Sequence, residues 1–131
     1  MTARIEYLEG SHQQNVRGFS PAVVSSGGKT VWLSGQTALV DEDGASIAGD
    51  CEAQARTIFG GIEKILRRYG GSLANLVTMT VFINDPRYGD EFVKVRRQTF
   101  TEGAFPASAL ITVSGFRRAG IVIEIQGVAI I

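Results

Sequence analysis

The sequence predicts an α+β protein: one mixed six-stranded sheet with two helices on one face. Three observations support this. Two segments place apolar residues at three- and four-residue steps, and both lie among short β-branched runs. Glycine is abundant, 16 of 131 residues, and clusters where turns are wanted. No long linker, repeat or charge block interrupts the chain, so residues 1–131 are expected to form a single domain. The element order reads β-β-β-α-β-α-β-β.

Arg4 to Leu8 suits a first strand. Ala22 to Ser26 and Thr30 to Thr37 flank Gly27-Gly28-Lys29, which predicts an antiparallel hairpin. After the polar loop from Asp41 to Gly49, Asp50 is a fitting N-cap. It opens a helix whose Ile58, Phe59, Ile62, Ile65, Leu66 and Tyr69 recur on one face. Gly70-Gly71 supplies a left-handed stop. Gly60-Gly61, inside the helix, costs about 1 kcal/mol per residue relative to Ala, which predicts a close helix-to-sheet approach there. Leu76 to Asn84 is a β-branched strand ended by Asp85-Pro86, and Asp90 to Phe100 repeats apolar residues at helical spacing. Ala107 to Val113 and Ile121 to Ile130 are strand-like, and the intervening SGFRRAG suits a hairpin connection. One side of the last strand carries Ile121, Ile123 and Ile125. The other carries Val122, Glu124, Gln126 and Val128, a half-apolar face of the kind that a second copy commonly covers.

Thirteen basic and thirteen acidic residues give a net charge of zero, which disfavours nucleic acid as a partner. The lone Cys51 cannot form an intrachain disulfide. No run reaches membrane-span length, and the N-terminus lacks the apolar core of a secretion signal, so a cytoplasmic location away from membranes is expected. A single His12 cannot supply a Ser-His-Asp relay together with a histidine-rich metal site, and it reads as a solvated loop residue.

With Val113 set opposite Ile121 in a hairpin, Ser108, Thr112, Glu124 and Gln126 would share the sheet face away from the helices. A glutamate in such a setting can act as acid or base; the ordinary alternative is a solvated or arginine-paired strand residue. Ser34-Gly35-Gln36 ends a strand where glycine admits close approach and serine offers a donor, although a β-bulge explains the same tripeptide. Cys51 sits at a helix start between Asp50 and Glu52, which oppose thiolate formation. Arg96-Arg97 and Arg117-Arg118 read as solvated basic pairs.

Several segments together resemble the Rid (YjgF) family of reactive-intermediate deaminases, historically described as L-PSP endoribonucleases or translation inhibitors. They are FSPAV at Phe19 to Val23, VWLSGQT at Val31 to Thr37, GDCEAQARTIFGGIEKIL from Gly49, TVFIND at Thr80 to Asp85, FPAS at Phe105 to Ser108, and VIEIQGVAI near the end. The resemblance implies a chorismate-mutase-like fold assembled as a homotrimer, with small-molecule ligands in three intersubunit clefts. It also implies hydrolysis of imines or enamines to a carbonyl compound and ammonia, without metal or organic cofactor. By the same resemblance Glu124 is the catalytic glutamate, and Phe19, Ser34, Gly35 and Ser108 line the substrate. Phe19 replaces the family's usual tyrosine. Ser108 stands where family deaminases hold the substrate carboxylate with an arginine, so an altered substrate is expected. A trimer that binds a small metabolite without turning it over is the alternative, and a ribonuclease or translation inhibitor a third. Arg17 and Arg96 are candidate replacement cations whose positions the sequence does not give.

Overall fold

The computed structural model describes all 131 residues, and the α+β class holds. Six strands alternate with three helices: β1 (Arg4–Tyr7), α1 (His12–Arg17), β2 (Val23–Ser26), β3 (Thr30–Gln36), α2 (Cys51–Arg67), β4 (Leu76–Ile83), α3 (Gly89–Thr99), β5 (Ala107–Thr112) and β6 (Ile123–Ile130). Short 3₁₀ turns precede β4 and α3. The six strands divide into a two-stranded ribbon, β1-β2, and a four-stranded sheet in the order β3-β6-β4-β5.

Two of the expected pairings are corrected by this topology. The Gly27-Gly28 turn exists, with φ of 66° and 71°, but β2 pairs with β1 and β3 pairs with β6. The turn is pinned from outside: Gly28 N–H donates to the Met1 carbonyl and Lys29 N–H to the Ile131 carbonyl, which send the two strands to different sheets. Likewise β5 and β6 form no hairpin. β5 runs parallel to β4, and β6 runs antiparallel to both β3 and β4. The α3 crossover is the kind of connection a parallel β4-β5 pair needs. It leaves β6, with the fully buried Ile123, Ile125 and Ala129, at the centre of the sheet.

Nineteen buried residues form the core between the sheet and helices α2 and α3. α2 contributes Cys51, Ala55, Ile58, Phe59, Ile62 and Leu66 from one stripe, and Phe59 packs edge-on against Phe100 with ring centroids 5.4 Å apart. Asp50 caps α2 as expected, accepting from Ala53 N–H at 3.0 Å. Tyr69, expected on the buried face, lies past the helix end and is half exposed, beneath the Lys29 ammonium.

The expected close approach at Gly60-Gly61 is not found. A Cβ at Gly61 would meet nothing within 4 Å, and one at Gly60 only Glu42 Oε1 at 3.9 Å, so the pair faces outward. His12 begins the short α1, with Ser11 and Gln14 completing a capping box, and is solvent-exposed. No helix is long and apolar enough to cross a membrane.

The most completely enclosed polar side chain is that of Gln54. Gln54, 0% exposed, donates to the Ile47 carbonyl at 2.9 Å and the Gly120 carbonyl at 2.7 Å, and accepts from Val122 N–H at 3.0 Å. It fastens both the loop before α2 and the loop before β6 to the helix.

Candidate functional site

The register of β4 decides which candidates share a face. Phe82 pairs with Glu124 and Thr80 with Gln126, so these residues lie on the side away from the helices. The buried Met79 pairs with Ser108, which puts Ser108 on the opposite side. The expected patch of Ser108, Thr112, Glu124 and Gln126 therefore splits between the two faces. Its hairpin register does not exist, and β4 stands between the two strands. Three residues along the strands and two strand spacings across put Ser108 and Glu124 on the order of 14 Å apart.

Two groups result. The first is built by a β-bulge: pairing shifts between Leu33 and Gln36, and Ser34-Gly35 is the irregular stretch. A Cβ on Gly35 would stand 2.4 Å from Glu124 Oε2 and 2.9 Å from its carboxyl carbon. Glycine here makes room for the glutamate. Glu124 is half-buried, takes part in none of the six ion pairs, and lies on an open face with the exposed Trp32 and Ile111. Ser34 is exposed, and its carbonyl accepts from Gln36 Nε2 at 3.0 Å.

The second group gathers around Arg96, which is 2% exposed and so no member of a solvated basic pair. In α3 it sits one turn after Phe92 and next to Val95, on the stripe that faces the core. That spacing is the signal in the sequence that Arg96 faces inward, while Arg97 beside it gives the two the look of a solvated pair. Arg96 Nη1 donates to Ser108 Oγ at 2.8 Å and Nη2 to the Arg17 carbonyl at 3.0 Å. Its guanidinium lies 5.6 Å from the centre of the Phe19 ring and 4.9 Å from that of Phe92. Gly18, at φ 78°, lets the chain cross the arginine stems, since a Cβ there would meet Arg97 Cγ at 3.0 Å. Burial, then the neighbouring Arg17, lowers the Arg96 pKa to about 10. The segment Gly18–Ser20 is held beside β5 by the Ser20 N–H bond to the Pro106 carbonyl and a Ser20–Ala107 bridge.

One copy of the chain does not join the two groups, and no surface cavity contains both Glu124 and Ser108. A groove of about 480 Å³ along β3 includes Ser34, Trp32 and Tyr69. No three His, Cys, Asp or Glu side chains converge as a metal ligand set. Cys51 is buried, and burial with Glu91, Asp50 and Glu52 nearby pushes its thiol up to about 12.

The family model for Endoribonuclease L-PSP matches residues 11–131. Protein DfrA of Myxococcus xanthus is 34% identical over 115 residues, covering 86% of this chain and 84% of its own. A 2-iminobutanoate/2-iminopropanoate deaminase of Bos taurus is 28% identical over 102 residues, covering 78% and 73%. Among solved structures, RidA from an Antarctic Psychrobacter superposes with a TM-score of 0.70 at 30% identity over 86% of this chain and 88% of that one. A Rid-family protein of Yersinia pestis, YyfB, reaches 0.79 at 24% identity over the whole of both chains, a likeness of fold.

Proposed function

Since the chain belongs to the Endoribonuclease L-PSP family, in which relatives include imine deaminases, we propose that it is a cofactor-independent hydrolase of small imines and their enamine tautomers. The observation that carries this reading is the Glu124 carboxylate, free of ion pairs and seated directly over Gly35. A carboxylate so placed holds a water and takes its proton as the oxygen attacks the imine carbon. The former imine nitrogen takes that proton to complete the carbinolamine, and Glu124 then carries the hydroxyl proton of the carbinolamine to the nitrogen as the C–N bond breaks, so that ammonia leaves and the carbonyl forms. Imine and water give carbonyl compound and ammonia, and Glu124 ends as it began.

The reading includes assembly as a homotrimer in the cytoplasm, with small-molecule ligands and neither nucleic acid nor membrane as partner. The exposed Trp32 and Ile111 support putting partner copies over this face. In that assembly the Glu124, Ser34 and Gly35 group of one copy meets the Phe19 and Ser108 group of another, and the cleft between copies is the active site.

The test is ammonia and keto-acid release when purified protein meets 2-aminoacrylate made in situ by a serine dehydratase. Native protein should accelerate release, and Glu124→Gln should lose about 10²-fold or more. Equal release with and without the Glu124 carboxylate sinks the mechanism. Ser108 favours a second reading, a trimer that binds a metabolite without turnover, because a hydroxyl is a weaker carboxylate ligand than a guanidinium. Calorimetric binding of keto acids by native protein that releases no ammonia would select it. A nuclease reading would require RNA degradation that persists after contaminating nucleases are removed.

A further inference from the structure

Only two buried side-chain polar atoms in the chain lack a hydrogen-bond partner, Asn84 Oδ1 and Arg96 Nε. The second belongs to a charged group. A buried guanidinium is ordinarily matched by a carboxylate, because leaving a charge uncompensated in a poor dielectric is costly. Arg96 takes part in no ion pair: the charged neighbour that acts on it is another arginine, Arg17, whose own partner is Asp90 at 3.3 Å. Holding α1 in place does not require it, since the neighbouring Arg97 already donates to the Asn15 and Val16 carbonyls.

What Arg96 does accomplish is visible at Ser108. Its Nη1 donates to Ser108 Oγ at 2.8 Å, a charge-assisted bond that occupies the hydroxyl oxygen as an acceptor. The Ser108 proton is thereby turned away from Arg96 and must find an acceptor elsewhere. Ser108 is only half-buried, and the half-buried Phe19 ring closes over the guanidinium at 5.6 Å.

We propose that Arg96 is a positioning residue that makes the Ser108 hydroxyl a one-directional, charge-assisted donor for an anionic oxygen of the ligand, the carboxylate of a small monocarboxylic acid. This rests on reading the Phe19–Ser108 group as part of the ligand cleft. The cation acts through the hydroxyl instead of forking directly onto the ligand, so the site offers one donor in one direction. Mono-anionic acids should bind, and their neutral esters should not.

The test is calorimetry of native protein with pyruvate, acetate and methyl pyruvate, beside Ser108→Ala, Arg96→Met, Arg96→Lys and the Ser108→Ala/Arg96→Met double variant. Urea midpoints confirm that each variant is folded. The two acids should bind native protein about tenfold or more tightly than either Ser108→Ala or Arg96→Met. The double variant should bind no more weakly than the single ones, because one residue acts through the other. Arg96→Lys should recover part of the loss. Additive losses in the double variant, unchanged affinity in a folded Arg96→Met, equal affinity for methyl pyruvate, or no binding of either acid by native protein would each overturn the proposal. Native protein that binds through Ser108 and Arg96 but hydrolyses nothing sinks the hydrolase alone.

Discussion

Gln54, in α2, and Glu124, in β6, lie on opposite sides of the same sheet and treat their polar atoms in opposite ways. Gln54 is completely enclosed, and both ends of its amide are engaged, with two carbonyls and one N–H of the surrounding backbone. Glu124 packs against a glycine and pairs with no cation. A polar group whose bonding is complete can only hold things together. One with vacant lone pairs at an open face has capacity to give to a ligand. Arg96 lies between these extremes, with two bonds made and Nε unpaired.

The contrast breaks most visibly if the two residues are exchanged for neutral or apolar shapes. Glu124→Gln should cost about 10²-fold or more in ammonia release and shift the urea midpoint hardly at all. Gln54→Leu should do the reverse. It leaves the Val122 N–H unpaired in the interior and takes one of two donors from each of the Ile47 and Gly120 carbonyls, which keep the Asp50 and Gly49 N–H groups, a loss of about 2 kcal/mol in urea denaturation. A Gln54→Leu protein that is fully stable yet inactive would erase the distinction. Gly35→Ala sharpens it: a methyl 2.4 Å from Glu124 Oε2 must push the carboxylate aside, so activity should fall about tenfold while the fold survives.

The smallest expected effect concerns Cys51, whose thiol is enclosed like Gln54. With its pKa raised to about 12, the folded protein keeps a proton that the unfolded chain sheds near 9, so stability is full below pH 9 and declines as pH rises toward 12. Cys51→Ala should flatten that decline, and native Cys51 should resist alkylation at pH 8.

Local structure was legible in the sequence where it depended on nearby residues. The α2 stripe of Ile58, Phe59, Ile62 and Leu66, its Asp50 cap and the alternation of Ile123 and Ile125 in β6 all follow from spacing within one segment. Pairing was not legible in the same way. Nothing local at Gly27-Gly28 tells that the chain termini would pull β2 and β3 apart, and nothing in SGFRRAG tells that β4 would separate β5 from β6. The site follows the same division. The contact between Gly35 and Glu124 joins residues that the family resemblance singles out, whereas Arg96, a candidate cation by sequence, has a place that no local pattern gives and reaches Ser108 only through the crossover that carries α3 over the sheet.

The central place of β6 also constrains how the chain can be made. Its strand partners, β3 and β4, are synthesised 40 to 100 residues earlier, and Thr30 pairs with Ile130. On the ribosome those earlier strands have an empty slot between them until residues 123–130 emerge. The helices can form as they appear, but the sheet closes in one late step with large loop-closure entropy, and a nascent chain stalled before β6 should expose two unpaired strand edges to chaperones.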